Sequence, residues 1–365
     1  METADLRKEV HSIPSHSKVL GVWAQAGVWA QAGVWAQASV RARFGVRHWL
    51  LLYLLPVIFL LCSCGSSEKQ QELNIAEQFG IAYAPLQIMK EQQLLEKALP
   101  DVQINWKQYG GPAPIREGML AGEVDFGFMG PSPVLVGIDN GMKWKFAAGI
   151  SYNQVALVTD RPEIRSLKDF KDSDRIAILS PGSTQHILLS IAASQVFGNP
   201  DKFDKQLVSL SHPDAMDALI ADTEVAAHFA TPPYLDKELS QGMHVITTGE
   251  EIMGEPFTFI TGVAQTSFFE ERPEEYTAII TALNTAIDYI NQNMDAAVSE
   301  LAPVYGVEKD ILKAQMTYQG TIYANRLTGL QRLSDEMYRI GMIKSPIMME
   351  EVCFPGAGNT GKGMK

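Results

Sequence analysis

The chain has 365 residues, of which 46% are hydrophobic, with 30 Lys+Arg against 42 Asp+Glu for a net charge of −12. That acidic surplus disfavours nucleic acid, whose recognition needs a basic face. Three cysteines are too few for a disulfide scaffold, so an apolar core must hold the fold together.

Residues 21–38 are three copies of Gly-Val-Trp-Ala-Gln-Ala. Solenoid units run to ~20–50 residues, so this reads as a duplication in the coding DNA or as translation from upstream of the true start. Arg41, Arg43 and Arg47 then precede a 14-residue apolar run, Trp49 to Cys62, interrupted by Pro56. A membrane span needs ~20 apolar residues, whereas the core of an export signal has ~7–15. Leu61-Cys62-Ser63-Cys64 closes the run and resembles a bacterial lipobox, in which the cysteine after the cut carries a diacylglycerol. Cys64 is the expected attachment point, because Gly65-Ser66-Ser67-Glu68 reads as a flexible tether. Two acyl chains hold firmly where one anchors weakly. The expected organisation is a dispensable extension and signal at 1–63, a tether at 64–72, and a lipid-anchored body outside the cytoplasmic membrane, in the periplasm or at the cell surface. The first 63 residues hold six basic and three acidic side chains, leaving 24 against 39 and a net charge of −15 in the body. With Cys64 acylated, Cys353 has no disulfide partner.

Along the body, short apolar runs alternate with amphipathic stretches. Asn74–Ala82 reads as a strand, Leu86–Leu99 as a helix, Val102–Tyr109 as a strand and Pro114–Ala121 as a helix ended by Gly122. Val124–Met129 is a strand, Pro133–Asn140 a short helix, and Phe146–Thr159 one or two strands. Helix Leu167–Phe170, strand Arg175–Leu179, helix Thr184–Phe197 and strand Leu207–Ser211 follow. Then come helix Asp214–Ala221, strand Val225–Ala230, helix Tyr234–Gln241, and strands Met243–Thr247 and Phe257–Ala264. After Pro273 the pattern is mostly helical to about Ile343. This alternation predicts an α/β fold with largely parallel sheets. A strand returning late, before a helical tail, predicts two lobes: 73–155 plus 258–365, and 156–257. Two crossing strands would then form a hinge, near Tyr152–Ala156 and Pro256–Phe259.

Three motifs in this frame resemble the nitrate/sulfonate/taurine class of solute-binding proteins from ABC importers. They are Phe79-Gly-Ile-Ala-Tyr-Ala-Pro-Leu86; Met119-Leu-Ala-Gly-Glu-Val-Asp-Phe-Gly127 leading into Gly130-Pro-Ser-Pro133; and Ser166-Leu-Lys-Asp-Phe170 followed by Arg175-Ile-Ala-Ile-Leu-Ser-Pro-Gly-Ser-Thr184. The resemblance covers about residues 73–290. It implies a type II periplasmic-binding-protein fold, a small anionic solute, permease subunits as partners with ATP hydrolysis left to a separate subunit, and a non-enzymatic monomer. Sulfonate, taurine, nitrate and bicarbonate are the favoured ligands. A thiamine-pyrimidine precursor, or small-acid chemistry on the same fold, are the alternatives. No serine elbow, phosphate loop or metal-ligand series is present, so neither a cofactor nor a metal is expected.

Ligands of open α/β sheets sit outside the carboxyl ends of strands. Ser180-Pro-Gly-Ser-Thr-Gln-His186 fits that rule best. Gly182 permits the turn, Ser183 or Thr184 caps, Ser180 adds a hydroxyl, and the following helix N-terminus carries about +0.5 charge toward an oxyanion. Gly130-Pro131-Ser132-Pro133 offers a similar nest, with Pro133 suited to the first helical position. Tyr83 follows the first strand, and Thr231 and Tyr234 follow Val225–Ala230. Ser151 and Tyr152, with Asn153, lie at the first crossing. His186 and His228 read as structural histidines or ligand contacts, and Glu250, Glu251 and Glu255 as a solvated acidic loop or an amine site.

Overall fold

A computed structural model of the chain describes residues 71–221, 224–318 and 320–358. The signal, Cys64 and the start of the body lie outside the described residues, among which no helix is long and apolar enough to cross a membrane.

The first block comprises β1 (Gln71–Gln78), α1 (Ala84–Glu91), α2 (Leu94–Ala98), β2 (Val102–Tyr109), α3 (Pro112–Ala121), β3 (Phe126–Met129), α4 (Pro131–Asp139) and β4 (Trp144–Tyr152). The second comprises β5 (Ala156–Thr159), β6 (Arg175–Ile178), α5 (Thr184–Phe197), β7 (Leu207–Ser209), α6 (His212–Ile220), β8 (Val225–Ala230), α7 (Tyr234–Ser240), β9 (His244–Thr248) and α8 (Gly249–Met253). The chain then returns through β10 (Ile260–Gln265), α9 (Thr266–Glu271), α10 (Pro273–Gln292), α11 (Met294–Tyr305), α12 (Lys309–Met316), β11 (Ile322–Tyr323) and α13 (Leu330–Arg339).

Two sheets result, in the orders β11-β4-β10-β3-β1-β2 and β7-β6-β8-β5-β9. β1 runs parallel to β2 and β3, and β6 parallel to β7 and β8, with helices in the connections that such parallel pairs need. The expectation of largely parallel sheets fails at β10 and β5, which are antiparallel to both neighbours. β5 enters its sheet directly from β4, with no helical crossover to reverse its direction, and β10 returns to the first sheet from β9 through the short α8.

The crossings are tied to each other and to the tail. Phe259 N–H donates to Ser151 O at 2.9 Å, and Gly249 N–H to Val155 O at 2.7 Å. The Tyr152 hydroxyl bonds Thr328 Oγ1 at 2.7 Å and Thr258 Oγ1 at 3.2 Å. Beneath the first sheet, Phe126 meets Phe128 at 5.0 Å and Phe268 at 6.2 Å. The buried stripe Tyr276, Ile279, Leu283, Ile287, Ile290 on α10, at three- and four-residue spacing, faces α1 and the sheet. Each such buried side chain contributes about 1.5–3 kcal/mol. α13 packs against both α4 and α5, one helix from each block.

Several expected boundaries move for local reasons. The first strand stops at Gln78 because the chain turns at Gly80, with φ 123°. The helix expected over Leu86–Leu99 breaks at Gln93, whose φ of 51° is left-handed. Pro131, rather than Pro133, takes the first helical position of α4. Cys353 is a free cysteine.

Candidate functional site

The carboxyl ends of β1, β3, β6 and β8 converge on one cleft between the two sheets. From the first block come Phe79, Tyr83, Pro112 and Gly130, with Phe259 from the return; from the second come Leu179, Thr184, Gln185, His212 and Thr231. Together they close the cleft to a cavity of about 20 Å³. That is room for about one water molecule.

Two helix N-termini meet here. α5 is capped by Ser183, whose Oγ accepts from His186 N–H at 3.3 Å. Helix geometry then leaves the Thr184 and Gln185 N–H groups without intrahelical acceptors. The preceding turn needs a left-handed residue, which Gly182 supplies with φ 77°. α4 begins opposite. Because Pro131 and Pro133 have no N–H, Ser132 supplies the donor in its first three positions. The two helices approach through Gly130, where any β-carbon would overlap Thr184 Oγ1 and lie 3.2 Å from Thr184 Cβ.

The hydroxyls of Ser132, Ser180 and Thr184 are buried and have no hydrogen-bond partner among the described residues. A buried donor left unpaired costs about 1–3 kcal/mol, and these three cluster around two positive helix ends. Tyr83 adds a phenol that burial, reinforced by the Glu77 charge, holds well above its ordinary pKa and therefore protonated. Arg116 Nη1 lies 3.7 Å from where a Gly182 β-carbon would sit. That guanidinium makes no hydrogen bond or ion pair among the described residues, and burial lowers its pKa against the opposing charge of Glu117.

The structure thus brings Tyr83, Gly130, Thr184 and Thr231 to the cavity wall, with Ser132 and Ser180 buried beside it. Ser183 serves as the cap. The His186 ring is held locally: Nδ1 accepts from Gly182 N–H at 3.0 Å, and Nε2 is 3.7 Å from Asp204 Oδ1, beyond hydrogen-bonding reach. Ser151 is buried in β4, and Tyr152 lines a separate hollow at the crossings with Asn153, Glu250 and Glu251. Tyr234 stacks on His212 at 5.6 Å and lines a neighbouring hollow beside Lys90 and Tyr305. Glu251 closes a capping box with Thr248 at the start of α8. His228 is buried in hydrogen bonds to His212 and Glu238.

Sequence reasoning missed Gln185, His212, Phe79 and Arg116. His212 had a readable signal. Ser211 caps α6 and Pro213 sits in its first turn, so the helix begins at His212 rather than at Asp214.

The NMT1-like family model matches residues 66–304. The chain is 26% identical over 321 residues to the putative aliphatic sulfonates-binding protein of Bacillus subtilis (strain 168), covering 83% of this chain and 93% of that protein. Among solved structures, it resembles the alkanesulfonate-binding protein SsuA from Xanthomonas axonopodis pv. citri bound to MOPS, with TM-score 0.65, 20% identity, and 78% and 98% of the two chains covered. It also resembles the periplasmic nitrate-binding protein NrtA from Synechocystis PCC 6803, with TM-score 0.62, 13% identity, and 78% and 85% covered. These likenesses carry the expected periplasmic-binding-protein fold of two α/β lobes.

Proposed function

The chain belongs to the NMT1-like family, and from that premise we propose that it is the solute-binding component of an ABC importer and captures a small oxyanion of the sulfonate class in the interlobe cleft. One observation carries the reading: three buried, unpaired hydroxyls, Ser132, Ser180 and Thr184, gather where the N-termini of α4 and α5 meet. A sulfonate offers three oxygens to such donors and needs no compensating cation beyond the helix ends and Arg116. Similarity to the putative aliphatic sulfonates-binding protein of Bacillus subtilis supports the same ligand class. In this reading the lobes rotate about the crossings, and the closed form docks on permease subunits. Residues 73–155 plus 258–365 make one lobe and 156–257 the other. The body is a monomer held outside the cytoplasmic membrane by diacylated Cys64.

Ligand at 100 times its Kd stabilises a fold by about 2.7 kcal/mol, so binding is visible as a melting shift of several degrees. Taurine and alkanesulfonates are expected to raise the melting temperature in a screen with nitrate, bicarbonate and a pyrimidine alcohol. No shift with any anion, or a shift with the alcohol alone, overturns the ligand class. For the anchor, the wild-type chain expressed with radioactive palmitate is expected to label and sediment with membranes, and Cys64→Ser to do neither. A Cys64→Ser chain that stays membrane-attached contradicts the anchor.

A further inference from the structure

A buried chain of titratable side chains runs from α7 to the cleft. Glu238 Oε1 lies 2.6 Å from His228 Nδ1, and His228 Nε2 lies 2.9 Å from His212 Nδ1. His212 Nε2 emerges at the cavity wall, 3.3 Å from both Thr231 Oγ1 and Gln185 Nε2. The three side chains are at most 5% exposed. Such an alignment leaves few arrangements of its protons. With two protons, each inter-residue contact holds one, and His212 Nε2 presents a lone pair. A third proton, taken from solvent, leaves both contacts filled and appears at the far end as a His212 Nε2–H, with Gln185 turning its amide oxygen inward. Resting on the oxyanion reading above, we propose that Glu238, His228 and His212 form a proton chain that switches the cleft wall between hydrogen-bond acceptor and donor, so that sulfonate capture is linked to uptake of one proton.

Burial favours the three-proton, neutral form. Glu238 Oε2 has no partner among the described residues, and burial pushes this carboxyl up to about 8. Burial also lowers His228 to about 3, and His212 well below its ordinary value with His228 adding to the effect. The chain therefore keeps its third proton below about pH 8 and loses it above. Nearby groups do not substitute for it. Asp214 and Asp217 on α6, Asp236 and Lys237 on α7, Arg175 on β6, His244 on β9 and Tyr83 across the cavity make no hydrogen bond to the chain among the described residues. Asp236 titrates lower, pushed by burial to about 6. Tyr234 covers the His212 ring by stacking.

The test is imidazole ¹⁵N NMR of the protein from pH 6 to 9, with calorimetric titration of butanesulfonate, which does not itself titrate there. His212 Nε2 is expected to be protonated at pH 7 and bare at pH 9. Affinity is expected to be about tenfold weaker at pH 9 than at pH 7, with close to one proton taken up per sulfonate bound at pH 9. In Glu238→Gln the amide N–H donates permanently to His228, so Nε2 should stay protonated and the affinity profile flatten. An Nε2 that does not change protonation in the wild-type protein overturns the switch, whether or not the variant folds. A wild-type pH profile retained in Glu238→Gln does the same. A switching Nε2 with pH-independent affinity overturns the coupling to ligand. A switching Nε2 with no butanesulfonate binding at any pH supports the switch and overturns the oxyanion reading alone.

Discussion

Gly130→Val is expected to weaken sulfonate binding by about 5- to 150-fold while leaving the fold intact. Gly130 has an ordinary extended conformation, φ −59° and ψ 157°, so valine strains no backbone there. The obstacle lies across the cleft, where even a β-carbon would overlap Thr184 Oγ1 and approach Thr184 Cβ to 3.2 Å. Overpacking of this kind costs about 1–3 kcal/mol. The cost falls on the closed form alone, because separating the lobes relieves the contact. Apparent affinity drops with the population of the form that binds, which sets the fold-change. Small-angle scattering at saturating ligand should show a larger radius of gyration than the wild-type complex, with an unchanged melting temperature for the unliganded protein. Wild-type affinity in Gly130→Val would mean that α4 and α5 do not close on the ligand.

Thr184→Ala is expected to weaken binding by about 10- to 150-fold. Thr184 stands at the first position of α5, 2% exposed, and its hydroxyl has no partner among the described residues. A buried hydrogen bond to a charged group is worth ~1.5–3 kcal/mol, which converts to that range. Helix stability should hardly change, since Ser183 supplies the cap through His186 N–H. Titration calorimetry of Thr184→Ala, Ser132→Ala and Ser180→Ala separates the three hydroxyls. Unchanged affinity in all three moves the site elsewhere in the cleft.

How far the sequence foretells this site depends on how local each cause is. Thr184–Phe197 is legible to the residue because Ser183 caps it and Gly198, at φ 66°, stops it. Val225–Ala230, apolar except for His228, becomes a central strand buried on both faces. The cleft loops are legible for the same reason, since each follows a recognisable strand. What escapes is set at a distance. β11 has two residues and no periodicity; it exists because Ile322 and Tyr323 pair with Tyr152 and Ser151 of β4. His212, His228 and Glu238 come from α6, β8 and α7, so no spacing along the chain announces that they touch. Arg116 likewise meets the Gly182 turn only across the cleft.

The central claim is that hydroxyls and helix ends in this cleft recognise an oxyanion. Calorimetric titration with butanesulfonate, butylamine and butanol tests it with the alkyl chain held constant. The sulfonate is expected to bind with one-to-one stoichiometry and the other two to give no saturable heat. Butylamine or butanol binding as tightly as the sulfonate would contradict it.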